Sequence, residues 1–245
     1  MAKKKDDGVL IQSMGTLKDV EFIKTGVKEF DEALHGFARG RITEVWGNPG
    51  VGKSYLLACT MANLKEGKVL YVDAEYSLVK ERLEQLGVDI KKIDFVQDGR
   101  LEQVADMIVD NVGQYDLIIL DSLAKLVPMT VSESETGANA IGLFARQVKH
   151  FEAKLKPRLA ISKTAFVVIN QARAGMGMMQ PSKPQGGFAW EHAIDIRIKL
   201  FKGPNNAVER QKDGQKYLVG HWVSLKVEKS RLTKPGLTTK FLLEY

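Results

Sequence analysis

The sequence predicts an α/β domain: a mainly parallel central sheet flanked by helices, with antiparallel strands at the C-terminal end. Three observations lead there. Apolar periodicity switches back and forth between strand-like and helix-like segments through the first two thirds of the chain. The strand-like segments are apolar on both sides, as in DLIILD at 116–121, which is what a sheet covered on both faces requires. The last third instead carries long strand-like runs broken by turn residues, the pattern of hairpins.

In order along the chain, RITEVW (41–46) reads as a strand, 54–64 as a helix, KVLYVD (68–73) as a strand and 78–86 as a short helix. KKIDFV (91–96) is a weaker strand, 101–112 a helix, and 116–121 a buried strand. A long amphipathic helix at 138–155 precedes the apolar strand TAFVVIN (164–170). IDIRIKL (194–200), KYLVGHWVSLKVEK (216–229) and TKFLLEY (239–245) read as antiparallel strands, with turns at Gly203-Pro204 and Asp213-Gly214. Residues 127–137, 172–187 and 202–215 fit neither strand nor helix, and loops of that length in a compact domain are usually functional. The first two follow strands that end on the side where open α/β sheets bind ligands. No repeat or linker divides the chain, so a short N-terminal segment (1–24) and a single core (25–245) are expected.

With 245 residues, 44% hydrophobic and 27% charged, the chain can build one large core, and collagen, coiled coil and disulfide miniprotein are excluded. The single cysteine, Cys59, has no internal partner for a disulfide, and MAKKKDDG lacks the apolar run of a secretory signal, so a soluble, cytoplasmic protein that does not engage membranes is expected. Its net charge of +6 is unevenly spread. Residues 1–141 carry 17 Lys and Arg against 23 Asp and Glu, whereas residues 142–240 carry 19 against 6. Such a basic second half suits a polyanion, nucleic acid above all; a solvated basic face is the alternative that charge alone leaves open.

Gly47-Asn48-Pro49-Gly50-Val51-Gly52-Lys53-Ser54 matches the phosphate-loop pattern G-x-x-x-x-G-K-[ST] between a strand and a helix, where that pattern must stand. Glycines let backbone N–H groups wrap a phosphate, and the following helix turns its positive end toward it. Lys53 is expected to reach the terminal phosphates of a bound nucleotide and the Ser54 hydroxyl to bind Mg²⁺. Asp121, ending a buried strand, is the expected second carboxylate on the magnesium side. Glu75 closes VLYVDAE on a neighbouring strand end, where it either polarises a water for attack on the γ-phosphate or simply faces solvent. His35, His150, His192 and His221 are too scattered for a ligand pair, and no Ser stands in a G-x-S-x-G setting.

Further segments are more diagnostic than the phosphate loop. TGVKEFDEALHGFARGRITEVWGNPGVGKS (25–54), YVDAEYSL (71–78), LGVDI (86–90), LIILDSLAKLVP (117–128), ETGANAIGLFAR (135–146), VVINQARAGMGMM (167–179), GG (186–187) and KVEKSRLTKP (226–235) occur in one order along the chain. In these segments the chain resembles the ATPase core of RecA-type DNA recombinases, bacterial and phage members in particular. The resemblance implies a RecA-like phosphate-loop fold and DNA-stimulated ATP hydrolysis with Mg²⁺ at protomer interfaces. It further implies assembly on single-stranded DNA, as a filament or ring, with pairing to duplex DNA and strand exchange.

Residue by residue, the resemblance assigns Glu75 as the catalytic carboxylate and Gln171 as a γ-phosphate sensor coupled to the second DNA loop. Lys229 and Arg231 are the cations that enter a neighbouring protomer's site. Tyr55 and Arg82 join the nucleotide-binding set, and Ile141, Arg146, Arg173, Met176, Met179, Gly186 and Gly187 occupy positions that meet single-stranded DNA, near 127–141 and 172–187. Some positions depart from the family. Arg82 stands where an aromatic residue commonly covers the adenine, and Glu191 and His192 stand where a Lys and an aromatic make subunit contacts. The second DNA loop is shorter by two residues. The match starts so near Met1 that the usual N-terminal docking helix is expected to be absent or replaced by residues 1–10, and no C-terminal regulatory domain is expected after Tyr245, as in a minimal phage core. A ring-forming DNA motor and a single-strand-binding or annealing accessory ATPase would share the same nucleotide residues.

Overall fold

The structure, a computed structural model, describes residues 14–16, 19–129, 138–173, 183–212 and 215–244. Two short antiparallel strands, β1 (Phe22–Ile23) and β2 (Phe37–Ala38), flank α1 (Lys28–Leu34). The sheet-and-helix alternation follows: β3 (Ile42–Gly47), α2 (Lys53–Asn63), β4 (Val69–Asp73), α3 (Lys80–Gln85), β5 (Ile93–Val96), α4 (Leu101–Asn111), β6 (Leu117–Asp121), α5 (Ala138–Ile161) and β7 (Ala165–Arg173). Then come β8 (Lys183–Pro184), α6 (Gly187–Ala193), β9 (Ile196–Phe201), β10 (Ala207–Lys212), β11 (Gln215–Ser230) and β12 (Thr238–Glu244). Strands β5, β4, β6, β7, β3 and β9 lie side by side in that order, all parallel. β11 continues the sheet antiparallel to β9, and it also pairs with β10 and β12.

Period-two alternation divides the core into two layers. Val45, Tyr71, Ile119, Val167, Ile169, Ile198 and Leu225 pack on α1 and α2, through Phe30, Leu34, Leu56 and Leu57. Ile42, Leu70, Ile118, Leu120, Phe166 and Val168 face the other way onto α4, α5 and α6, through Val104, Ile108, Phe151, Leu155 and Trp190. Each of β3, β4 and β6 is buried along its whole length, as a sheet sandwiched between helices demands. The mainly parallel α/β class stands.

Three expectations change. Segment 202–215 is not one long loop: β10 pairs with β11 from Ala207↔His221 to Lys212↔Gln215. Its charged sequence AVERQK hides the strand because neither face of the hairpin is core, so no apolar alternation marks it. Second, β9 is not purely antiparallel. It is parallel to β3 and antiparallel to β11, and so joins the two halves of the sheet. Third, α5 runs through Pro157 to Ile161 rather than ending near 155, because Leu155 and Leu159 are both buried and hold the last turns against the sheet. Within 172–187, β7 extends to Arg173 and pairs there with β8.

Candidate nucleotide site

β3 delivers the chain to the phosphate loop at Gly47 on the α2 side of the sheet. A Cβ on Gly47 would stand 2.3 Å from the Leu200 carbonyl oxygen of β9, so only glycine fits where the loop leaves the sheet. Gly52, in the left-handed region at φ 95, then starts α2 with Lys53 as its first residue. Lys53 Nζ, largely buried, donates to the carbonyls of Gly47 (2.9 Å) and Asn48 (3.0 Å). Burial lowers its pKa, opposed by the nearby charges of Asp121 and Glu75. Asn48, Pro49 and Gly50 are exposed at the rim, and Val51 is buried beneath them.

A cleft of about 580 Å³ opens from this loop and gathers Gly50, Gly52, Lys53, Ser54, Tyr55, Arg82 and Asp121 among its walls. At its polar end are Lys53, the exposed Ser54 hydroxyl and Asp121; toward Arg82 the wall is apolar, with Leu78, Val79, Leu83 and Leu86. That layout fits a nucleoside triphosphate with phosphates on the loop and base between Arg82 and the leucines. Arg82 offers a planar cation that can stack on a base there, and Tyr55 lines the same cleft.

Asp121 is buried at the end of β6 and accepts from the Tyr71 hydroxyl at 2.7 Å. Burial raises its pKa to about 6, offset in part by that hydrogen bond, while the negative charges of Glu75 and Asp73 push the same way as burial. Burial and the Asp121 charge push the Tyr71 phenol well above its ordinary value. A buried carboxylate that is held costly as an anion is satisfied by a cation, so Asp121 with the Ser54 hydroxyl is a donor set that suits Mg²⁺, whose hard charge prefers such oxygens. The ion would supply charge neutralisation at the phosphates.

Glu75 lies beyond the end of β4 and is tied on two sides. Ser122 Oγ donates to its Oε1 at 2.5 Å, and Gln171 Nε2 donates to the same oxygen at 2.6 Å. The backbone there is set by Asp73, which accepts from the N–H groups of Glu75, Ser77 and Leu78 at 3.1, 2.9 and 3.0 Å. Two of the residues singled out from sequence, Glu75 and Gln171, are thus in direct contact although 96 positions apart. Tyr71 and Ser122 were not anticipated. The alternation of β4 puts Tyr71 on the same sheet face as Asp121, a signal present in the sequence; Ser122 gave none beyond adjacency to Asp121.

Lys229 and Arg231 sit apart from this cleft, around the end of α6. Lys229 Nζ donates to the Glu191 carbonyl at 2.5 Å, and Arg231 pairs with Asp195 at 3.3 Å. Burial lowers the Lys229 pKa, and the charges of Arg231, Arg197 and Lys156 lower it further, against Asp195. Among the expected DNA-contact positions, Arg146 is exposed on α5, and Gly186 and Gly187 open α6. Gly186 has φ 116, and a Cβ there would come within 2.8 Å of Trp190. Ile141 and Arg173 lie on α5 and β7 with side chains outside the described residues, as are Met176 and Met179 altogether.

A ten-stranded, mostly parallel sheet with a glycine-rich loop of the phosphate-loop pattern after β3 and carboxylates at the ends of neighbouring strands defines an α/β domain of the phosphate-loop type. The family described as RecA N-terminal domain matches residues 3–245, and the chain belongs to it. Protein RecA of Streptomyces coelicolor is 35% identical over 239 residues, which cover 94% of this chain and 62% of that protein. Protein RecA of Nocardioides sp. is 33% identical over 235 residues, 92% of this chain and 65% of its own length. For Protein RecA of Frankia alni the values are 33% over 239 residues, 94% and 67%. The chain therefore spans a little under two thirds of the length of most of these relatives. Among the described residues no helix is long and apolar enough to cross a membrane.

Proposed function

We propose that the chain is an ATP-dependent DNA recombinase whose core, residues 25–245, assembles on single-stranded DNA and promotes homologous pairing and strand exchange, hydrolysing ATP between protomers. The observation that carries this reading is the Gln171–Glu75 hydrogen bond of 2.6 Å. It joins the candidate catalytic carboxylate to the residue that heads the segment leading to the DNA loop. A Gln amide both donates and accepts, so a γ-phosphate oxygen competes with Glu75 for it. ATP arrival thereby frees the carboxylate and repositions the strand end in one step.

In this reading Lys53 and the loop N–H groups hold the phosphates, Ser54 and Asp121 hold Mg²⁺, and Glu75 takes the proton of the attacking water. Lys229 and Arg231 act on the nucleotide of a neighbouring protomer. Neither lines the chain's own cleft and both are held at the end of α6, which supports that role. The basic second half supplies phosphate contacts for DNA.

ATP turnover with and without single-stranded DNA, over a salt series, tests this. Turnover is expected to be DNA-stimulated, with apparent DNA affinity falling on a log–log salt plot by about 0.7 per phosphate neutralised. Glu75→Gln is expected to lower turnover by roughly 100-fold or more with nucleotide still bound. A rate indifferent to DNA would remove the recombinase reading, and annealing of complementary strands without invasion of duplex would replace it with an accessory role.

A further inference from the structure

Alternation along a strand sends consecutive side chains to opposite faces of a sheet, and the end of β7 makes use of it. Gln171 faces the α2 side, toward Glu75; Asn170 is fully buried on the side of α6. There Asn170 Nδ2 donates to Glu44 Oε1 at 2.8 Å and to the Gln185 carbonyl at 2.6 Å, while its Oδ1 accepts from the Gln171 backbone N–H at 2.9 Å. Glu44, in the middle of β3, has no exposed surface. The same Oε1 accepts from Trp190 Nε1 at 2.8 Å, and Oε2 pairs with Arg197 Nε at 2.6 Å. Arg197 reaches Glu191 at 3.2 Å, and the Glu191 carbonyl is the seat of Lys229.

A buried ion pair is poor value as a source of stability when apolar side chains would fill the same space. This one joins β7, β3, α6 and β9 at a single carboxylate, which suits a part that fixes how those elements sit relative to one another. We propose that Glu44 is a positioning residue that transmits the state of Gln171 through the sheet to α6, and from α6 to Lys229. The inference rests on the nucleotide-sensing reading of Gln171 and adds the route. When Gln171 leaves Glu75, the end of β7 moves, and Asn170 moves with it. Asn170 and Trp190 share one oxygen of Glu44, so α6 follows or a buried hydrogen bond breaks.

Trp190 is itself the reporter. The chain has three tryptophans, and Trp46→Phe with Trp222→Phe leaves Trp190 alone. Emission of that protein is recorded without DNA, with Mg·ADP and with a non-hydrolysable Mg·ATP analogue, and binding of each is measured by calorimetry. The emission maximum is expected to shift with the triphosphate and to stay in place with the diphosphate. Asn170→Ala and Glu44→Ala are expected to lose the shift, and Glu44→Gln, which keeps an oxygen for both Asn170 and Trp190, to retain it. A shift that persists in Asn170→Ala, or equal emission with two bound nucleotides, overturns the route alone. Failure of both nucleotides to bind overturns the sensing reading and the route together. If the two-Phe background or Glu44→Ala does not fold, 5-fluorotryptophan in the natural chain and in Asn170→Ala gives the same comparison by the Trp190 fluorine resonance, assigned with Trp190→Phe.

Discussion

Asp121 is the side chain on which binding and stability pull hardest against each other. Its ordinary value of 3.8 rises to about 6, mainly through burial. Below pH 3.8 the carboxyl is neutral whether the chain is folded or not. Between the two values the folded form holds its proton longer, and above pH 6 the buried charge counts fully against folding. Asp121→Asn, which still accepts from Tyr71, is therefore expected to be more stable than the parent above pH 6, by about 2–3 kcal/mol, with the gain vanishing near pH 4. The same variant is expected to lose the stabilisation that Mg·ATP gives. Urea melts from pH 4 to 8, with and without Mg·ATP, check both; a parent that gains on the variant as pH rises would contradict the burial account. The phosphate-loop pattern pointed to Lys53 and Ser54 and the apolar strand DLIILD to Asp121, and the structure brings all three to one cleft. Neither pattern pointed to Ser122, and alternation put Tyr71 only on the sheet face of Asp121: a hydrogen bond between residues 50 apart is set by strand register.

Among the elements, α5 is the one whose sequence argues against its own length. Pro157 is exposed on it, lacks the N–H that would bond four residues back, and stands between the two buried leucines that keep the helix going. Pro157→Ala is expected to stabilise the protein by about 1–3 kcal/mol, since packing is untouched and the missing hydrogen bond is restored. Thermal melts decide it, and an unchanged or lower midpoint would mean that the helix has already relaxed around the ring. The opposite sign belongs to α6. Gly186→Ala places a methyl 2.8 Å from the Trp190 side chain at a backbone angle that favours glycine, and a loss of about 1–3 kcal/mol is expected in the same melts. Apolar period located β3, β4, β6 and β7 to within a residue or two at their starts. It missed β10, and it missed α1, whose seven residues are too few for a helical period to declare itself.

On the scale of the whole molecule, the two cations that the family resemblance assigns to a neighbouring protomer's site are held at the end of α6 and do not line this chain's own cleft. If they serve a neighbour, Lys229→Ala with Arg231→Ala is expected to abolish DNA-stimulated turnover while each protomer still binds ATP. Mixing that variant with Glu75→Gln is expected to restore activity at about one interface in four, where an intact carboxylate meets intact cations. Turnover in the mixture no greater than the sum of the separate variants would place both groups in one protomer's own chemistry. Lys229, Arg231, Arg197 and Lys156 crowd around Asp195 and the end of α6, which gathers four of the second half's 19 cations at one place.

By itself the sequence determined what local pattern can encode: the parallel α/β class from apolar strands, the phosphate loop from its glycines and lysine, and the family from the order of its motifs. Only the tertiary structure decided that Glu75 and Gln171 touch, that Glu44 is a buried carboxylate with partners on three other elements, and that Lys229 is docked on α6. Those facts depend on which strands become neighbours and in what register. Register is settled by the packing of the whole sheet between its helices, so no short stretch of chain contains it.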